Sequence, residues 1–213
     1  MFKIWKVQIS NIIINAGYDL EHFKKSCGVP LDGNIPPLPK KLNVLDEKTE
    51  CEAMELPDTV DARQKWPNCK SIRSIGEIGD QGSCRSYWEF EAVEAMTDRI
   101  CIKSGDKRTP HLSAKDLLSC CRECGFGCIE GYLESAWNYW VQSGIVTGRQ
   151  YNSKQDCQPY LIPSWEHHVK GHLKPCGDIK PTPRCKRKYE VGYNVTYSKD
   201  KWYGSKALLP CEL

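Results

Sequence analysis

"DQGSCRSYWEF", residues 80–90, decides the fold. It sets a Gly-Ser turn at Gly82 and Ser83, a cysteine at Cys84, and then Tyr87 and Trp88 at the mouth of a helix. From there Trp88, Ala92, Val93, Met96 and Ile100 recur at three- and four-residue steps, which predicts one apolar stripe on a helix ending near Cys101. The first turn of such a helix favours a thiolate by its dipole. This sequence places a phenol, Tyr87, directly before the Trp.

Two more helices follow. "SAKDLLSCC" (113–121) opens on Ser113 with Asp116 three residues on, a start that resembles a capping box. "YLESAWNYWVQSG" (132–144) carries Leu133, Ala136, Trp137, Trp140 and Val141 on one side and stops at Gly144. Beyond Gly148 the chain reads as loop, and no repeat is evident. Residues 1–55 differ in texture: "NAGYDLEHFKKSCG" (15–28) has the pattern of a short helix with a glycine stop, and the four prolines of "VPLDGNIPPLPKKL" (29–42) make an extended linker.

A chain of 213 residues accommodates one substantial domain with an extension. Its net charge of +3, from 30 basic and 27 acidic residues, is mild, and the basic cluster Cys185 to Tyr189 reads as a solvated loop; no nucleic-acid partner is expected. No apolar run approaches the roughly 18 residues of a membrane span. Thirteen cysteines argue for an oxidising compartment or a metal. The N-terminal "MFKIWKVQISNIIIN", interrupted by Lys3, Lys6, Gln8, Ser10 and Asn11, lacks the continuous apolar stretch of a secretory leader, so the two signals conflict. "NVT" at Asn194 to Thr196 is a glycosylation sequon, relevant to an exported chain.

The stretches "LPDTVDARQKWPNC", "DQGSC" with the helix after it, "LSAKDLLSCC", "GIVTG", "CQPY", "EHHVKG" and "PTPRCK" occur in one order, and together they resemble the N-terminal half of papain-family cysteine proteases, most closely the cathepsin B branch. The resemblance implies an α+β, papain-like fold, represented mainly by its helical first lobe with disulfide-rich loops, the second, β-rich lobe being absent. Residues 1–55 become a propeptide-like segment and linker, and residues 56–213 a truncated papain-like domain. Family function is peptide-bond hydrolysis by a thiol at the helix start, in a lysosomal or secreted setting, without a cofactor.

Carried over by motif, Gln81 takes the oxyanion position, Tyr87 the nucleophile position, Gly131 a substrate-backbone position, and His167 and His168 the paired histidines that would hold a substrate carboxylate. Tyr87 is less readily ionised than a thiol and bulkier. The family's base lies well over a hundred residues downstream, whereas here no histidine follows His172. The chain is therefore expected to be catalytically inactive. Alternatives are a non-catalytic protein that docks a peptide or protein in its cleft, and a non-functional gene fragment. Arg85 and Glu89 replace small family residues beside the nucleophile.

The resemblance also implies four disulfides, Cys69 to Cys101, Cys84 to Cys128, Cys120 to Cys185 and Cys121 to Cys124. Trp165 and Tyr189 stand at family cysteine positions, leaving Cys157 and Cys176 to pair with each other, while Cys27, Cys51 and Cys211 have no assigned partner. A minor alternative is zinc on Cys121, Cys124 and Cys128 with His168 and His172. With a second lobe missing, the stripe from Trp88 to Ile100 is expected to lie exposed and to drive self-association.

Overall fold

The computed structural model describes residues 59–73, 79–166, 171–175 and 177–205. The propeptide-like segment, His167, His168, Cys27, Cys51, Cys176 and Cys211 lie outside the described residues. Two four-residue helices come first, α1 (Ala62–Lys65), whose N-cap Asp61 accepts from the Arg63 amide, and α2 (Lys70–Arg73). The central helix α3 spans Tyr87–Lys103, α4 spans Ala114–Cys120, a 3-10 turn covers Arg122–Cys124, and α5 spans Leu133–Ser143. Among the described residues there is no β-strand, only the isolated antiparallel pairs Leu112 with Thr147, Gly125 with Gly131, and Ile145 with Trp202.

Periodicity explains α3. Trp88, Ala92, Val93 and Met96 are each at most 3% exposed. They form one core with Leu117 and Leu118 of α4, Ala136 and Trp140 of α5, and Ile145 and Tyr160 from the segments that follow. The expected exposure of this stripe is not found. The first lobe's own α4, α5 and the chain from Ile145 to Ile162 enclose it, so its apolar face points inward and the expected route to self-association through that face loses its basis.

Local chemistry sets the ends of the helices. Ser113 caps α4, its Oγ accepting from the Asp116 amide at 3.0 Å. The reciprocal half of a capping box is missing, because the Asp116 carboxylate is turned elsewhere. It accepts from the Tyr197 hydroxyl at 2.6 Å, the Lys201 ammonium at 2.9 Å and the Val146 amide at 3.2 Å. The freed Ser113 amide donates instead to the Val146 carbonyl at 2.8 Å. Helix α5 stops at Gly144, whose φ of 66° suits a residue without Cβ, and the next residue pairs with Trp202 through two 2.9 Å hydrogen bonds.

The Asp116 and Lys201 pair is enclosed, at 0% and 8% side-chain exposure, and Lys201 also donates to the Gly144 carbonyl at 2.7 Å and stands over the rings of Tyr197 and Tyr139. Removing one partner from a buried pair strands the other charge, which costs about 3–5 kcal/mol. Lys201→Met is therefore expected to lower the unfolding free energy by about that amount in a denaturant titration. Adding Asp116→Asn should recover part of the loss, since no unpaired charge then remains buried. A loss under about 1 kcal/mol in the single variant would mean that the pair behaves as a solvated one.

Candidate functional site

The site is assembled where the loop 79–86 meets the start of α3. Gly82 takes a φ of 61°, its amide donates to the Asp80 carboxylate at 2.8 Å, and a Cβ there would come within 2.5 Å of the Pro163 carbonyl oxygen. The turn therefore requires glycine. Cys84 follows at 4% exposure, joined to Cys128, and the Arg85 amide donates to the Cys128 carbonyl at 3.0 Å. Tyr87 is the first residue of α3 and is 38% exposed.

The opposite wall is the loop from Cys124 to Tyr132. It lies across the Trp88 indole, which donates from Nε1 to the Gly127 carbonyl at 3.2 Å. A Cβ on Gly131 would meet that ring at 2.2 Å, so packing alone explains the glycine. Phe126 and Ile129 of this loop are exposed beside the buried Cys128. The Cys128 amide is held by the Thr182 hydroxyl at 2.9 Å, tying the wall to the extended chain beyond Ile179.

Beneath the site runs a polar chain that the sequence did not announce. Ser86 makes no side-chain cap for α3 because its hydroxyl is engaged with the Tyr160 hydroxyl at 2.9 Å. Tyr160 in turn donates to the Gln81 carbonyl at 3.0 Å and packs edge-on against Phe90. The Gln81 amide oxygen is itself buried without a hydrogen-bond partner. Glu89, one turn into α3, is fully buried and neither carboxylate oxygen has a hydrogen-bond partner. Burial pushes its carboxyl well above the usual carboxylate range, and burial first and then Glu89 raise the Tyr160 phenol. The signal that could have found this chain was the substitution of Glu89 for a small residue beside the helix start.

The structure joins Cys69 to Cys101, Cys84 to Cys128, Cys120 to Cys185 and Cys121 to Cys124. The zinc alternative falls with this, since all three of its cysteines are bonded to other cysteines. The same holds for the tight cluster of Cys69, Cys101 and Asp106, in which both sulfurs belong to one disulfide. Cys157 is not joined to Cys176; it carries a free thiol at 0% exposure. Burial, followed by the charges of Asp200 and Asp116, pushes that thiol up to about 12, which keeps it protonated and unreactive. His111 lines a cavity of about 390 Å³ with Glu94, Asp98 and Phe90 on the flank of α3.

A family model described as "Papain family cysteine protease" matches residues 56–208. The chain belongs to that family. Its curated relatives are cathepsin B-like: a cathepsin B-like cysteine proteinase of Schistosoma japonicum is 50% identical over 155 residues, covering 72% of this chain and 44% of the relative. Cathepsin B-like cysteine proteinase 6 of Caenorhabditis elegans is 49% identical over 163 residues, covering 75% of this chain and 42% of the relative. The chain thus spans less than half the length of these two papain-family relatives. Among solved structures, procathepsin B of Trypanosoma congolense superposes with a TM-score of 0.57 at 30% identity, over 86% of this chain and 52% of that one. The papain-like fold, helix-rich and disulfide-rich in the described residues, is therefore shared with a cathepsin B zymogen. No helix among the described residues is long and apolar enough to cross a membrane.

Two outcomes follow. A carboxyl whose folded value is raised holds a proton that the unfolded chain has already shed, so its contribution to stability is present at low pH and is lost as pH rises through the folded value. Glu94 and Asp98 shift the same way, desolvation being the first cause in each. The melting temperature is therefore expected to fall as pH rises above about 4.3, where an unfolded glutamate ionises, and Glu89→Gln should flatten most of that slope; an unchanged slope would remove Glu89 as its source. Separately, the Glu190 amide donates to the Cys157 carbonyl at 2.9 Å, which brings the backbone next to position 189 against that of Cys157. Tyr189→Cys is expected to form a fifth disulfide among the described residues, found by non-reducing peptide mapping and adding about 2–4 kcal/mol. Two free thiols after oxidation would show that the backbones stand too far apart.

Proposed function

We propose that this papain-family chain is a non-catalytic cathepsin B-like protein, its cleft wall kept for docking peptide rather than for cutting it. One observation carries the reading: at the helix start where the family chemistry requires a thiolate, the chain presents the Tyr87 phenol, and the nearest cysteine, Cys84, is sealed to Cys128. The helix dipole that would favour a thiolate acts on a group whose ordinary pKa is near 10. The remaining described thiol, Cys157, is buried and protonated. Gln81 keeps the oxyanion position by motif, Gly131 and the His167 and His168 pair keep substrate positions, and exposed Phe126 and Ile129 give an apolar lining against which side chains of an extended peptide pack. Residues 1–55 act as the propeptide-like segment and residues 56–213 as the papain-like domain, in a lysosomal or secreted setting that suits four disulfides.

An epoxide or vinyl-sulfone probe of cysteine proteases, applied to the full folded chain, is expected to label no residue by mass spectrometry, and a fluorogenic dipeptide substrate should remain uncleaved. Tyr87→Cys is the control for access: a thiol at the first position of α3, where Tyr87 is 38% exposed, is expected to be alkylated by iodoacetamide. Labelling at Cys84 or Cys157 of the unaltered chain, or hydrolysis that an irreversible thiol reagent abolishes, would overturn the proposal.

A further inference from the structure

We propose that Asn194 is an N-glycosylation site, occupied by an oligosaccharide transferred from a polyprenyl-pyrophosphate donor. The sequon Asn194-Val195-Thr196 has no proline at its middle position or directly after it. The fold displays it. Tyr193 is anchored by its hydroxyl to the Asp200 carboxylate at 2.7 Å, and Tyr197, 8% exposed, is anchored to Asp116 at 2.6 Å. Between these two fixed points residues 194–196 are all exposed. Among the described residues neither the Asn194 amide nor the Thr196 hydroxyl makes a side-chain hydrogen bond; the fold uses only the Thr196 carbonyl, which accepts from the Lys199 and Asp200 amides at 2.9 and 3.0 Å. Both side chains that the transferase must read are therefore uncommitted, and the backbone that carries them is anchored at both ends.

The transfer forms one bond from Asn194 Nδ2 to the anomeric carbon of the first sugar and breaks that carbon's bond to the pyrophosphate oxygen. The lipid pyrophosphate leaves with the electron pair, and Nδ2 gives up a proton to the transferase. The four disulfides point to the oxidising compartment in which such a donor operates. The first sugars would leave from a surface that also carries Val191, 91% exposed, and Val195, 38% exposed, and would shield both from solvent. The site is independent of whether the cleft turns over peptides.

The test is to express the full chain behind a secretory leader in a eukaryotic host and to digest the secreted and endoplasmic-reticulum fractions with peptide N-glycosidase in heavy-oxygen water. The expected result is a mobility shift on digestion and conversion of Asn194 to labelled aspartate in the peptide map. Asn194→Gln and Thr196→Ala are expected to lose the shift, and Thr196→Ser to keep it, all with the disulfide map of the parent, since none of these side chains holds the fold. Disulfide-bonded protein from either fraction with unmodified Asn194, or a shift that survives Thr196→Ala, would overturn the assignment.

Discussion

The carboxylate of Asp116 is the constraint around which the described lobe is arranged. It lies in the first turn of α4, is completely buried, and gathers the Val146 amide, the Tyr197 hydroxyl and the Lys201 ammonium. Each of those partners comes from a segment without regular structure. An ionised group in such a place is tolerable only when its charge and lone pairs are all matched. The matching positions the chain after α5 and the chain around Lys201 at once. Asp200, next to Lys201, repeats the device by accepting from the Thr147 amide and hydroxyl and from Tyr193. Two neighbouring acceptor sites thus do for these loops what a sheet ladder does for strands.

The polar chain beneath the start of α3 obeys the same logic with a different outcome. Ser86, Tyr160 and the Gln81 carbonyl form a continuous hydrogen-bonded path from the start of α3 to the loop before it. Glu89 sits beside that path as a carboxyl without a cation, and neutralisation rather than pairing makes its burial tolerable. The Trp88 indole, roofed by Gly131 and bonded to Gly127, fixes the facing wall. Packing and hydrogen bonds thus hold the start of α3 and its facing loop in place around the exposed Tyr87 phenol.

Much of the helical framework was legible because it is local. The stripe on α3, the Ser113 cap and the Gly144 stop are written in neighbours three or four residues apart. The Asp116 network was not, since Tyr197 and Lys201 lie more than eighty residues away and nothing in the pattern of a tyrosine or lysine announces a buried partner. The expectation of an uncovered α3 stripe failed for a related reason. Periodicity says that a face is apolar, and it is silent on whether loops such as 145–162 will close over it. The role proposed for Tyr87, by contrast, rests on its position within a motif and not on its contacts.

Among the described cysteines Cys157 alone carries a free thiol, and it has a bearing on how the molecule ages. While the fold is intact that sulfur is protonated and out of reach, so the four bridges among the described residues are insulated from exchange with it. Once the chain opens, its acidity returns toward that of an ordinary cysteine, and it becomes an internal nucleophile beside the eight bonded sulfurs of the described residues. Scrambled pairings then accumulate in neutral or alkaline solution and block the way back. Persistence of this protein is accordingly governed by the rate at which it first unfolds, and acid, which silences the released thiol, is the milieu in which an opened molecule keeps its native connectivity.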